Sequence, residues 1–495
     1  MFLPSKFIRD LISTTITSVV TIVCLVVLMR VLAIGLGPDD FGAFSLVRRI
    51  FSTIEPLSSL AMGVAITRFV ALYDDTNERN YVLLAGCLLS LVFAVLLFAV
   101  FNVFSIELGS IIFHDQVRYS DLFFSMTLMF IGYSIFISVY AFYRGVGEMG
   151  KANLWQLLVI AVGPLIASFF YSSGDELAAL VLLFAILMYL AIIPLFIQLR
   201  KICIRNFDKK KLEAHLRSLF FYGMPRVPGY LLYGALLAVG PLWAPYMGSL
   251  REAGYLVIGQ SILRIVESGT EAFGRVALPK ITALHNKNGK HGISGEITNL
   301  VSFLIHIGIF ATIHLYIWTD LIVVVWLGEN FIEAAWTIKI LILSILPFLM
   351  FVTLRTVIDA VEVKAVITLY LLVGFLVTIA TSFLLSLFGI GAISLAIGTS
   401  CGIFVLGVLV SVRVFVDFKL KLSDLAIVKC VIANAVLFLV SYVVFLMLAS
   451  NTFSFKMFVS VIFIETGLFC FYLYALNKFK VAWLRSLMTR LWVPG

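Results

Sequence analysis

The chain has 495 residues, 62% of them hydrophobic and 13% charged, with a mean hydropathy of +1.10 and a formal net charge of +9. This composition excludes a water-soluble globular domain, and the long apolar runs exclude a β-barrel, whose strands would be short and alternating. An all-α polytopic membrane protein remains.

Lys6 and Arg9 precede an apolar run to about Leu36. The run is too long for a signal-peptide core and lacks a small-residue cleavage site, so it reads as a retained first helix. Runs of about 20 apolar residues predict fourteen spans. The first six lie near 11–34, 43–72, 81–104, 121–143, 154–172 and 176–198. Six more lie near 218–246, 253–284, 297–319, 334–356, 365–387 and 390–413, and a last pair near 428–449 and 455–476. The domains expected are an N-terminal lobe (1–199), a basic linker (200–217), a C-terminal lobe (218–414), the last helix pair (425–477) and a tail (478–495).

Most of the 36 Lys and Arg residues fall in alternate loops or at the termini. One set holds Arg144 and Lys151, the run Arg200 to Arg217, Lys287 and Lys290, Arg413, Lys419 and Lys421, and the tail from Lys478 to Arg490. The other set is nearly free of them, with Arg118, Arg251 and Lys456 as exceptions. This alternation predicts an even number of spans with both termini cytoplasmic. The linker with Lys209, Lys210 and Lys211 reads as a solvated orientation anchor, with attraction to anionic headgroups as an added role. It lacks the interleaved aromatics and the fold of a nucleic-acid site, so no nucleic-acid partner is expected. Six cysteines without paired spacing suggest neither a disulfide framework nor a metal site, and no cofactor is expected.

The first polar constellation in chain order is Arg30, Arg48, Arg49 and Glu55. The arginines lie near span ends and can snorkel to the interface; Glu55 lies deeper, just before Pro56, where a kink is expected. Span seven opens with Tyr222-Gly-Met-Pro225-Arg226-Val-Pro228-Gly-Tyr230, two prolines flanking an arginine that either faces a cavity or sits at the interface. Span eight carries a polar stripe, Gln260, Arg264, Glu267, Glu271 and Arg275, within roughly 80° of one helix face. Each charge at a bilayer centre costs about 2.5–3.5 kcal/mol on insertion scales, so the stripe must face water or protein. Two readings stand: Arg264 pairs with Glu267 or Glu271, and Glu271 with Arg275, as bundle glue; or the arginines hold an anion while the acids bind a coupling ion or balance charge. Asp320 reads as an outer interface residue, Arg355 as part of a cytoplasmic helix end, and Glu465 as a charge contacting a neighbouring helix.

A shift of 212 residues lays 42–72 on 254–284 and matches Gly42 with Gly254, Ile50 with Ile262, Glu55 with Glu267 and Leu72 with Leu284. The span-eight stripe then falls on Arg48, Ser52, Glu55, Ser59 and Gly63. Both helices cross in the same direction, so the repeat is parallel, with substrate expected where the halves meet.

The stretch Arg30-Val-Leu-Ala-Ile-Gly-Leu-Gly37-Pro38-Asp-Asp-Phe41-Gly42-Ala-Phe-Ser45-Leu46 resembles the first-loop signature of polysaccharide flippases of the O-antigen type. These belong to the multidrug/oligosaccharidyl-lipid/polysaccharide exporter superfamily. Tyr143-Arg144-Gly145-Val-Gly147, the Tyr-Gly-Met-Pro-Arg-Val-Pro stretch and Gly254-Tyr255 resemble that family too, over roughly residues 10–415. The resemblance implies two six-helix lobes around a cationic cavity that opens alternately to either side, and movement of undecaprenyl-pyrophosphate-linked oligosaccharides to the periplasmic leaflet. Pyrophosphate binding is then expected of Arg30, Arg48, Arg49, Arg226, Gln260, Arg264 and Arg275, and ion coupling or charge balance of Glu55, Glu267 and Glu271. Expected partners are the lipid-linked oligosaccharide, membrane lipids, a proton or sodium ion, and polysaccharide polymerase and chain-length proteins. A drug or cation antiporter and a peptidoglycan-precursor flippase are the alternatives. A membrane polymerase or glycosyltransferase would want a large external loop or paired catalytic acids, and neither is visible.

Overall fold

A computed structural model describes residues 5–114, 119–170, 176–203, 207–267, 294–361, 366–421, 423, 427–448 and 454–478. Among the described residues every regular element is a helix. Contacts divide the chain into one compact unit from Leu3 to Gly254 and another from Tyr255 onward.

In the first unit, α1 spans Ser5–Ser58 and turns at Gly37, whose φ of 72° and ψ of 174° lie outside the helical region. A side chain would resist that φ, and Pro38, preset for a helical start, begins the second leg. The chain continues through α2 (Met62–Leu72), α3 (Thr76–Val103), α4 (Ser105–Phe113), α5 (Leu122–Val146), α6 (Met149–Gln156), α7 (Gly163–Phe169), α8 (Leu177–Tyr189) and α9 (Ile192–Cys203). Then come α10 (Lys209–Gly223), a tight turn at Met224–Arg226 and α11 (Val227–Met247).

The sequence places a kink at Pro56, but α1 runs through it, and the Ser59 N–H still donates to the Glu55 carbonyl at 2.9 Å. The break comes about a turn later, where Leu60 and Ala61 have φ of 49° and 54°. Packing holds these strained residues: Leu60, Ala61 and Met62 are buried, and a Cβ on Gly223 would stand 2.3 Å from the Leu60 carbonyl oxygen. Leu60, Ile66 and Val70 join Val82, Leu83, Val139, Phe142 and Leu219 in a core drawn from α2, α3, α5 and α10. Near the start of the second leg, a Cβ on Gly42 would fall 2.0 Å from the Leu250 carbonyl oxygen, so only glycine allows this approach. Gly254 lies against Gly42 in turn. The exceptional Arg251 pairs with Asp39 at 3.3 Å.

Helix α12 occupies residues 250–267. The second unit continues with α13 (Ser294–Leu327), α14 (Ala334–Ile342), α15 (Ile345–Val361), α16 (Val366–Leu387), α17 (Ile393–Phe418), α18 (Ile427–Leu448) and α19 (Phe455–Lys478). Among the described residues, eleven helices are long and apolar enough to cross a membrane, or twelve if α14 and α15, bent by 49°, form one span. The predicted fourteen is therefore not established. Residues Ile12–Leu72 enter the count once despite the turn at Gly37, and α12 is described only as far as Glu267.

The last two helices show what holds apolar helices together in lipid. Their outer faces expose Val428, Ile432, Met447 and Phe463. Lipid tails match such side chains as well as protein does, so hydrophobicity alone gives little adhesion. A polar seam supplies it. The Glu465 carboxylate accepts from the Trp318 indole N–H and the Ser441 hydroxyl, each at 2.6 Å, and lies 2.6 Å from the His314 Nδ1. Toward the other end of α19, the Tyr472 hydroxyl meets the Asn434 amide at 3.1 Å and donates to the His306 carbonyl at 3.3 Å. Glu465 thus contacts neighbouring helices, as its sequence setting suggests.

Candidate functional site

The second leg of α1 carries the first polar set. Arg49 is 4% exposed, Arg48 half-buried and Arg30 exposed. Arg48 reaches back to the first leg, its guanidinium 3.2 Å from the Met29 sulfur. The Arg49 carbonyl accepts from the Ser52 and Thr53 hydroxyls at 3.0 and 2.8 Å, and Thr53 also donates to the Gly234 carbonyl of α11 at 3.3 Å. This ties the arginine-bearing turn to a second helix. Glu55 is half-buried, with Ser59 donating to it at 2.9 Å, and no described cation pairs with it.

The second set lies on α12. Gln260 is 1% exposed, Arg264 is exposed, and Glu267 is largely buried. Glu267 does not pair with Arg264. Its carboxylate lies 3.9 Å from Arg355 of α15, whose guanidinium rests 5.3 Å from the Phe351 ring centroid. The sequence reading of Arg355 as part of a helix end misses this contact, which joins residues 88 positions apart. Its only signal is a cation one turn from Phe351 in an apolar window. Glu271 and Arg275 lie outside the described residues. Asp320 is held by Lys339 at 2.8 Å.

Arg226 sits in the tight turn between α10 and α11, exposed, with its guanidinium 3.7 Å from the Tyr222 ring centroid and donating to the Tyr222 carbonyl. Two prolines without N–H donors flank Arg226, and the arginine side chain bonds the Tyr222 carbonyl one turn back.

The structure therefore gathers Arg48, Arg49 and Glu55 on one helix of the first unit, and Gln260, Arg264 and Glu267 on one helix of the second. Arginine forks and buried acids in membrane helices suit an anion with a balancing cation. No group of three or more described His, Cys, Asp or Glu residues could hold a metal.

Among solved structures, the fold resembles the lipid II flippase MurJ in an inward closed conformation, at a TM-score of 0.71 and 14% identity, covering 97% of this chain and all of that one. It also resembles an inward-facing multidrug resistance MATE family transporter of the MOP superfamily, at 0.66 and 12%, covering 82% of this chain and 99% of that one. A eukaryotic MATE transporter, AtDTX14, matches at 0.55 and 15%, over 84% and 98%. No curated protein sequence matches the chain significantly. A family model described as "Polysaccharide biosynthesis protein" matches residues 7–285, more than half the chain, and the helices found here have a fold like those of MurJ and the MATE transporters: the chain belongs to the polysaccharide biosynthesis protein family.

Proposed function

We propose that this protein flips undecaprenyl-pyrophosphate-linked oligosaccharide repeat units across the bacterial cytoplasmic membrane, by alternating access, for O-antigen-type surface polysaccharide synthesis. The supporting observation is Arg49, a buried guanidinium about two turns from Glu55, in a chain of the polysaccharide biosynthesis family. A drug antiporter handling cations would favour acids over arginines in its transport path. A lipid diphosphate instead needs guanidinium forks out of hydrocarbon, while its polyprenyl tail stays in the bilayer. In this reading Arg30, Arg48, Arg49, Gln260, Arg264 and Arg275 serve the diphosphate during passage. Glu55, Glu267 and Glu271 balance charge or take the coupling ion, and Glu55, unanswered by a described cation, is the best position for a proton or sodium ion.

A peptidoglycan-precursor flippase is the second reading. It is favoured by the match to the lipid II flippase over 97% of this chain, against 82–84% for the MATE transporters. Deletion and complementation separate the readings. Loss of surface polysaccharide with lipid-linked repeat units trapped on the cytoplasmic side supports the first. Lysis on depletion supports the second, and a changed drug-resistance profile with intact polysaccharide supports an antiporter. Both termini are expected in the cytoplasm, which reporter fusions at either end test directly. Polymerase and chain-length proteins are the partners to seek by co-purification.

A further inference from the structure

Three side chains of the first unit form a group that the sequence did not assemble. Arg68 of α2 and Arg226 after α10 both rest on the ring of Tyr222, with guanidinium carbons 4.7 and 3.7 Å from its centroid. The two cations are therefore no farther apart than the sum of those distances. Phe69 meets the same ring edge-on, at 5.6 Å and 84°, and fixes its orientation. Both arginines are exposed. No described carboxylate pairs with either, and two acids that follow α2 in the chain meet other cations. Asp74 lies 3.8 Å from Arg79, and Glu78 is held by Lys211 at 2.6 Å and His215 at 2.8 Å.

Two like charges held against one aromatic ring repel each other, and a neutralising carboxylate would be the ordinary remedy. Here the ring holds both guanidinium groups while most of their N–H donors stay open: Arg226 spends one on the Tyr222 carbonyl, and Arg68 makes no described hydrogen bond. A pair of guanidinium forks held at one ring suits an anion with two adjacent phosphates, one fork to each.

We infer that Arg68, Tyr222 and Arg226 form a docking site for a phosphate-bearing lipid headgroup, and that its occupant is the diphosphate of the transported lipid, captured before passage. The assignment rests on the flippase reading above, and adds to it Arg68 as a ligand-binding residue and Tyr222 as a positioning residue. A bulk anionic phospholipid shares the chemistry in part, but offers one phosphate where the site offers two forks.

The test uses the full-length protein in lipid nanodiscs, with undecaprenyl diphosphate lacking sugar as one probe and phosphatidylglycerol as the other. Binding is measured for wild type, Arg68→Gln, Arg226→Gln, the double variant, Tyr222→Leu and Tyr222→Phe, each first checked for a native thermal transition. Each arginine variant should lose about tenfold in affinity for undecaprenyl diphosphate and the double variant more. Phosphatidylglycerol binding should hardly change. Tyr222→Leu should fall with the arginine variants, whereas Tyr222→Phe, which keeps the ring, should not. Equal losses for both lipids overturn the diphosphate assignment, and unchanged diphosphate binding in the double variant overturns the site. Should wild type bind no undecaprenyl diphosphate at all, the flippase reading itself fails.

Discussion

Residues 42–55 and 254–267 align without a gap, both opening on a glycine and ending on a glutamate, yet the two helices treat those residues differently. Gly42 leaves no room for a Cβ, which would collide with the Leu250 carbonyl at 2.0 Å; at Gly254 the nearest atom would be the Gly42 Cα at 3.2 Å. Glu55 is met by a serine hydroxyl from its own helix, Glu267 by an arginine from another. The same residue types at the same spacing thus meet different surroundings on the two helices. A carboxylate already facing a guanidinium is a poor candidate for a coupling ion, while one facing a hydroxyl still has a charge to balance.

The largest break should come at the glycines. Gly42→Ala is expected to cost about 3 kcal/mol, because a backbone carbonyl cannot rotate away as a side-chain tip would. Gly254→Ala should stay within about 1 kcal/mol of wild type, since the gain in helix propensity offsets a mild squeeze. Thermal unfolding of the two variants in detergent checks this asymmetry; equal melting points would remove it.

Glu55→Gln comes next. On the flippase proposal, with membrane abundance unchanged, repeat-unit export should fall about 100-fold, equivalent to about 2.7 kcal/mol. Glu267→Gln should lower it about tenfold or less, its role being shared with Arg355. Surface polysaccharide labelling, normalised to protein in the membrane, gives both numbers. The reverse order would transfer the coupling role to α12.

How much of this was legible in the sequence follows the range of the interactions. Long apolar runs and alternate basic loops reveal an all-helical membrane protein, because lipid demands internally bonded backbone and the demand is local. The turn at Gly37-Pro38 is equally local and was readable in the motif. The break at Leu60–Ala61 was not: neither residue favours positive φ, and only the buried neighbours and Gly223 sustain it. The same holds for Glu267 with Arg355 and for Arg68 with Arg226 on Tyr222. Such pairs depend on which helices adjoin, which one-face periodicity cannot give. The polar character of Glu465 was visible, while its three partners on α13 and α18 were not.

That seam offers a control on the claim that an intramembrane acid signals transport. Glu465→Ala leaves the Trp318 N–H, the Ser441 hydroxyl and His314 without their shared acceptor, at an expected cost of about 1–3 kcal/mol. Export at a permissive temperature should stay near wild type. A melting point unchanged by the substitution would deny the seam its role in holding α18 and α19 to α13; lost export at full stability would instead make Glu465 part of the transport path.

The smallest effect should come from the contact that distinguishes the two helices. At 3.9 Å, with Arg355 29% and Glu267 12% exposed, Glu267 and Arg355 attract through a partly screened medium, and their coupling should be about 0.5–1 kcal/mol. Glu267→Gln, Arg355→Gln and the double variant form a thermodynamic cycle that isolates this energy from the loss of either side chain. Arg355→Gln alone removes this cation from Glu267 and leaves its carboxylate in place. If export in that variant becomes as sensitive to Glu267→Gln as the wild type is to Glu55→Gln, the partner alone sets the difference between the two helices. A coupling energy indistinguishable from zero would mean that Arg355 is only adjacent to Glu267, and that the contrast lies elsewhere in the surroundings of the two acids.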